Sequence, residues 1–497
     1  MDVERESKLD APPEFELPDL TDVVDGAVAE QAPHRTLVAR YYDAADLRLA
    51  RAGVTLRHRT GDDAPVWTLK LPVGVNGTRT ARREIDFAGP PDIVPDKATD
   101  LVRGYLRTER LVEVGQIDTD RTIVVVRAGG DEVEVADDVV TGHDELHAPG
   151  RFREIEVELT AGGDGLADAV VAELIAAGCQ PGPPAPKLVR ALGRRARQSA
   201  DVVVPEIGPD AGMLELVRHA VAASVDRIVR HDAGVRLGED PEDVHQFRVG
   251  SRRLRADLRT LIGFLDGAWV TVLRDELRWL GGQTGVVRDR DVLGERLRRE
   301  ATQLPDVDDA GAGALLARLA EESNAARCEL LAALRSHRYG TLLDSLVDAA
   351  RNPRFAAVDA RSARKHAPEL VGQAWRRLAH AVRAAGDEPT DADLHAVRIL
   401  AKRCRYAADA VAPVIGAPAH RFADAIAEIQ TVLGDHQDTV VAEDWLRATA
   451  AATPDGRVAA GELIAIERAE RARLRALWPQ TWHTATARQL RDWLHGR

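Results

Sequence analysis

The 497-residue chain carries three cysteines, Cys179, Cys328 and Cys404, an odd number, far apart and without a C-x-x-C pair. That excludes a disulfide framework and a cysteine-based zinc or redox motif, and predicts a reducing, cytoplasmic compartment. No apolar run approaches the length of a membrane span, and the N-terminal MDVERESKLD is charged where a signal peptide needs an apolar stretch. Membrane insertion and secretion are therefore not expected. Aromatics are 4% of residues, while hydrophobic residues reach 45% and charged residues 30%, which predicts folded, aliphatic-cored domains. Lysine is scarce, at six of the 67 basic residues (positions 8, 70, 97, 187, 365 and 402), so each one draws notice. A basic excess is also missing. The net charge is -13: residues 1–200 hold 25 Lys/Arg against 36 Asp/Glu, and the remainder 42 against 44. Nonspecific nucleic-acid binding is thereby excluded, and any anion site must come from local clusters.

The length exceeds what one hydrophobic core serves, and at about 150 residues per domain it predicts two to four. From residue 1 to about 190 there are eight short period-2 segments: VERESKL, TLVARYYD, VTLRHRT, VWTLKLP, RREIDF, RTIVVVR, DEVEVAD and REIEVELT. They predict an antiparallel β-barrel, followed by a helix over 166–179 and a second in KLVRALGRRARQ. Residues 201–212 read as a linker between a domain at 1–200 and one at 213–497. Beyond the linker the apolar period becomes helical, over 213–231, 241–265, 269–282, 312–335, 363–385, 391–411, 419–434 and 456–475. The fold class is thus α+β multidomain, an eight-stranded antiparallel barrel followed by all-α bundles.

Charges in the first domain keep strand parity. Glu4, Glu6 and Lys8 share one face, as do Glu154, Glu156 and Glu158; Arg57 with Arg59, Arg82 with Glu84, and Glu134 with Asp138 repeat the pattern, and Lys70 closes WTLK. Either these faces meet water, or they line a polar lumen. Sorting on six strands at once favours the lumen, sustainable only with mutual pairing, water, or a bound ion and ligand. Carboxylates suit Mg2+ or Mn2+, and the Arg/Lys set suits phosphate oxygens.

In chain order, E-x-E-x-K at Glu4, Glu6 and Lys8, YYDAADLRLARAGVTLRHR, WTLK, RRE, the acidic pair Glu134 and Asp138, EIEVEL and Lys187 resemble CYTH domains, the triphosphate tunnel metalloenzymes. The resemblance implies an eight-stranded tunnel that hydrolyses or rearranges triphosphates with a divalent metal. It implies Glu4, Glu6, Asp138, Glu154 and Glu156 as the metal set. Lys8, Arg57, Arg59, Lys70, Arg82, Arg121 and Lys187 become the phosphate set, with Glu4, Glu6 and Lys8 catalytic. Pro186 departs from the family, which often has Ser before that lysine.

The second domain contains a self-match: VHQFRVGSRRLR (244–255) against LHAVRILAKRCR (394–405), and LGGQTGVVRDRDVL (280–293) against IQTVLGDHQDTVVA (429–442). It reads as a duplication, about 213–350 and 360–497. His245, Arg248, Arg252 and Arg255 lie on one helical stripe, as do His395, Arg398, Lys402 and Arg405, with Arg253 and Arg403 matched beside them. Such a stripe is either a solvated face or an anion site. This arrangement resembles the CHAD domain, which implies two pseudo-symmetric helical bundles whose basic surface, these ten residues, binds inorganic polyphosphate. Gln437 stands opposite Arg288 of the first copy.

The expected function is divalent-metal-dependent hydrolysis of inorganic triphosphate, with the helical domain holding polyphosphate. Two alternatives stay open: a polyphosphate-recruiting protein with little turnover, and an enzyme of organic triphosphates that hydrolyses thiamine triphosphate or cyclises ATP. No nucleic-acid or membrane partner is expected.

Overall fold

Strand registers decide what the first 200 residues enclose. The computed structural model describes residues 3–62, 66–76, 79–144, 147–183, 185–356 and 362–495. Its strands are β1 (Val3–Ala11), β2 (Val28–Gln31), β3 (Arg35–Asp43), β4 (Thr55–Thr60), β5 (Val66–Asn76), β6 (Arg79–Phe87), β7 (Val112–Ala128), β8 (Asp131–Asp144), β9 (His147–Ala161) and the two-residue β10 (Gln180–Pro181). All pair antiparallel. The eight long strands follow the order β1, β6, β5, β4, β3, β7, β8, β9, and β1 pairs β6 through Val3–Glu6 and β9 through Glu6–Ala11. The two partners of β1 meet only at Glu6, so a single strand joins both ends of the sheet and leaves neither end unpaired.

Side-chain alternation places charges on the inner face and aliphatics on the outer one, the inverse of a filled barrel. Leu9, Val133, Val135, Ile155 and Val157 are buried beneath a helix and the Phe15–Leu20 loop. Short helices α1 (Arg48–Arg51), α2 (Asp96–Leu101) and α3 (Arg103–Leu106) precede that covering helix, α4 (Asp164–Ala176). Its Leu166, Val170 and Leu174 are buried against β8 and β9, each worth about 1.5–3 kcal/mol. The next helix, α5 (Lys187–Leu192), stops at Gly193 with φ 61°, short of the stretch the sequence suggested.

The chain divides into two compact units, Met1–Asp201 and Val202–Arg497. The second is helical: α6 (Met213–Leu237), α7 (Pro241–Thr260), α8 (Gly267–Ala301), α9 (Asp309–Arg335), α10 (His337–Arg351), α11 (Ala363–Ala385), α12 (Asp391–Ile415), α13 (Ala417–Ala452) and α14 (Arg457–Ala485). The two helices that carry the basic stripes start at strong caps. Asp240 accepts from the Glu242 amide before α7, and Thr390 and Asp393 form a capping box on α12. Helix α8 runs on past 282 through Gly281, Gly282 and Gly285, because buried Leu280, Thr284 and Val287 outweigh the poor helix propensity of glycine. No helix among the described residues is long and apolar enough to cross a membrane.

Candidate functional site

The registers set the polar side chains next to one another around the ring. Lys8 stands opposite Glu156 and Glu6 opposite Glu158 across β1 and β9; Asp138 stands opposite Glu154 across β8 and β9, and opposite Arg121 across β7 and β8. On the other side Tyr41 faces Arg57, Lys70 faces Glu84, and the Glu4 position pairs with Arg82. The side chain of Glu4 lies outside the described residues. Together these strands enclose a cavity of about 300 Å³ lined by Lys8, Arg57, Arg59, Lys70, Arg82, Arg121 and Lys187. Glu6, Glu84, Glu134, Glu156 and Glu158 line it too.

Asp138 and Glu154 are fully buried, and with Glu156 they converge on ammonium and guanidinium groups. Lys187 Nζ lies 2.9 Å from Asp138, 3.4 Å from Glu154 and 2.6 Å from Glu156. Lys8 Nζ lies 2.5 Å from Glu156, 3.3 Å from Glu6 and 3.5 Å from Glu154. Arg121 donates twice to Asp138, at 2.7 and 2.6 Å, and once to Glu156 at 3.1 Å. Arg190 completes the cluster by pairing with Glu154 and, at 2.8 Å, with Asp10, its guanidinium 4.0 Å above the Phe152 ring. Burial raises the cost of charging Lys8, but Glu156, Glu6 and Glu154 outweigh it and hold its ammonium firmly protonated. Elsewhere in the cavity Lys70 meets Glu84 at 2.9 Å and Arg59 meets Asp62 at 2.5 Å.

One end of the ring is stopped from within. Leu188, Val189 and Leu192 of α5 pack against the inward-facing Ala39, Tyr41, Ile117 and Val140. Glycines make room for it. A β-carbon on Gly142 would come 2.5 Å from the β-carbon of Ala191, and Gly115 and Gly150 also lie against α5. The same packing holds Lys187, first residue of α5, over the carboxylates.

The carboxylates are the oxygen donors a hard divalent cation takes, so in composition they fit Mg2+ or Mn2+. In arrangement, no group of three or more such side chains among the described residues is set to hold a metal ion. Lys187 Nζ holds the place where Asp138, Glu154 and Glu156 meet.

In the second unit, α7 and α12 face one another. His245, Arg248, Arg252, His395, Arg398 and Lys402 line one cavity of about 400 Å³, with Arg288, Asp289, Gln437 and Asp438 contributed by α8 and α13. Arg248 pairs with Asp289 at 2.8 Å, and Arg252 donates to the Tyr406 hydroxyl at 3.1 Å. Arg398 Nε is buried without a hydrogen-bond partner, and Lys402 has no carboxylate partner among the described residues. Burial, then Arg252, Arg398 and Arg248, push the Lys402 ammonium down to about 7.

A CYTH-domain family model matches residues 2–175, and a CHAD-domain model matches residues 219–447. An uncharacterized protein of Mycobacterium tuberculosis is 34% identical over 449 residues, 84% of this chain and 83% of that protein. The chain belongs to the CYTH–CHAD family. Solved structures similar to it include PptA from Streptomyces chartreusis (26% identity, 55% of this chain and 99% of that one, TM-score 0.47). Another is the CHAD domain of the plant Ricinus communis (26%, 60% and 96%, TM-score 0.43).

All seven cations of the predicted phosphate set line the CYTH cavity, and four of the five predicted metal carboxylates, Glu6, Asp138, Glu154 and Glu156, form the neutralised cluster. Pro186 also lines the cavity and caps α5 without a side-chain hydrogen bond. Sequence reasoning missed Arg190, although its place three residues after Lys187 puts both on one helical face. Of the ten CHAD residues, six line the CHAD cavity, and Arg253 and Arg405 line an adjoining one with His245, Arg252 and Lys402. There Arg253 is held by Asp257, at 3.1 and 3.2 Å, and by Asp409 at 3.1 Å, while Arg405 lies 3.7 Å from Asp409. Arg255 and Arg403 lie near Arg259 and Arg274, and burial first, then the neighbouring guanidinium groups, lower the affinity of Arg255, Arg259 and Arg403 for protons. His395 Nδ1 lies 2.7 Å from the Gln437 amide oxygen, and burial with nearby arginines holds His245 below its ordinary range.

Proposed function

We propose that the CYTH domain is a divalent-metal-dependent inorganic triphosphatase and that the CHAD domain binds polyphosphate. One observation carries the reading. Seven cations from five strands and α5 line a single cavity whose far end α5 fills. Such a cavity accepts the end of a short phosphate chain and prevents a long one from threading through. Arg57, Arg59, Lys70, Arg82 and Arg121 would hold phosphate oxygens, and Lys8 sits between the carboxylates and the chain to stabilise charge that develops there. Glu6, Asp138, Glu154 and Glu156 are the residues to hold Mg2+ or Mn2+, with Glu4 at the adjoining strand position; the metal would supply charge neutralisation and water activation.

The CHAD reading rests on Arg398, whose Nε is buried without a hydrogen-bond partner, and Lys402, which makes no ion pair among the described residues, both facing the same cavity as Arg248 and Arg252. Burying such charges is costly unless an anion joins them. The decisive experiment measures phosphate release by the full chain from tripolyphosphate, ATP, thiamine triphosphate and long polyphosphate, each with Mg2+ or Mn2+. Tripolyphosphate should be the preferred substrate, and EDTA should abolish release. Faster release from ATP or thiamine triphosphate would move the assignment to organic triphosphates. Tight polyphosphate binding without turnover of any substrate would leave a recruiting protein.

A further inference from the structure

Among the described residues, the carboxylates suited to a divalent cation are all held by cations. Glu6, Asp138, Glu154 and Glu156 meet Lys8, Lys187, Arg121 and Arg190, with Arg82 4.0 Å from Glu6 as well. A cation approaching this cluster finds no net negative charge and must displace an ammonium or a guanidinium from the oxygens it takes. The displaced groups differ in where they can go. Arg190 is fixed by Asp10 and the Phe152 ring and lies away from the cavity. Lys8, Lys187 and Arg121 line it, within reach of a phosphate chain. Lys187 touches three of the four carboxylates from the first residue of a helix, on a flexible stem that can turn to a new anion without moving α5.

We propose, building on the triphosphatase reading, that Lys187 is an exchange group. It caps Asp138, Glu154 and Glu156 in the free protein and passes to phosphate oxygens when metal and triphosphate enter together. Metal and triphosphate therefore bind synergistically, each weakly alone. Linkage makes the effect reciprocal: whatever factor the triphosphate adds to metal affinity, the metal adds to triphosphate affinity.

The test is a titration of Mn2+ into the full chain, followed by electron paramagnetic resonance, with and without a triphosphate analogue whose bridging oxygens are replaced by NH. The analogue should tighten Mn2+ binding by about tenfold, a typical coupling, and Mn2+ should tighten analogue binding equally. Lys187→Gln should move the two affinities in opposite directions, strengthening Mn2+ binding without analogue and weakening analogue binding. Lys70→Gln, whose partner is Glu84, should weaken the analogue without strengthening Mn2+. Equal Mn2+ affinity with and without bound analogue overturns the exchange, and the wild-type chain alone decides that even if the variants fold poorly. An analogue that fails to bind under every condition overturns the triphosphatase reading itself, and the exchange with it.

Discussion

Lys8 and Glu156 stand directly opposite each other across β1 and β9, the ammonium 2.5 Å from a carboxylate oxygen. Burial opposes ionisation of Glu156, yet Lys187, Lys8 and Arg121 together hold its carboxyl well below the usual range. Removing that charge leaves three buried cations short of a counterion. Glu156→Gln should therefore lower the Tm, since breaking a buried pair costs about 3–5 kcal/mol. It should also slow tripolyphosphate turnover at least about 10²-fold, the upper range for loss of metal-site support. A variant with wild-type Tm would show that the pairing contributes nothing to the fold.

Acid should expose the same cluster. Asp138, like Glu156, has its proton affinity reduced in the fold: burial works against this, but Lys187 and Arg121 prevail. A depressed carboxyl stabilises the fold fully above its ordinary value, and that stability is lost as pH falls below it. The Tm should accordingly decline as pH drops below the ordinary carboxyl values of 4.5 for glutamate and 3.8 for aspartate. The decline should be shallower in Glu156→Gln. Identical acid profiles for the two proteins would remove Glu156 from the linkage.

The plug gives a steric prediction. A methyl at residue 142 collides with Ala191, so Gly142→Ala should push α5 outward and displace Lys187. The KM for tripolyphosphate should rise, by up to about 10²-fold if the shift approaches 1 Å. Ala191→Gly in the same chain should restore much of the loss, because it removes the opposing atom. A double variant no better than Gly142→Ala alone would mean that α5 does not position Lys187.

The inward charges were legible because strand parity is local: Glu6 and Lys8, or Arg57 and Arg59, share a face whatever the strands pair with. What each charge meets was not. Arg121 facing Asp138 depends on a hairpin register, and Lys8 facing Glu156 on closure between residues 148 positions apart. Gly142 lies beyond the DEVEVAD segment read as a strand, and its purpose appears only with Ala191 beside it. In the CHAD domain, periodicity placed the stripes on helices and Arg253 beside its stripe, but could not show that Asp409, from the other half of the duplication, would hold it. Helix α10 went unread as well, its buried Tyr339, Leu342, Leu343 and Leu346 interrupted by Gly340.

Polyphosphate binding should report on Lys402. The ammonium lies near Arg252, Arg398 and Arg248 in the CHAD cavity; Asp438 favours its charge, and Asp289, which also lines the cavity, pairs with Arg248. With its value brought down to about 7, the group is charged in the free protein below that pH and increasingly neutral above it. A polyanion favours the charged form, so above about pH 7 binding must take up a proton. Affinity should be level below that point and fall as pH rises beyond it. The ligand-free protein should show the opposite trend and gain stability with rising pH, because the unfolded chain then binds more protons than the folded one. Lys402→Met should weaken polyphosphate binding, flatten the pH profile above neutrality and reduce the salt slope by about one. It should raise or preserve the Tm, since it removes a charge the fold leaves uncompensated. Anisotropy of end-labelled polyphosphate with the full chain, at constant ionic strength across neutral pH, measures all but the last, and thermal melts measure that. If the wild-type profile is flat above neutrality, or Lys402→Met binds as tightly as the parent, Lys402 is not a contact to the chain and the cavity must bind through its arginines alone.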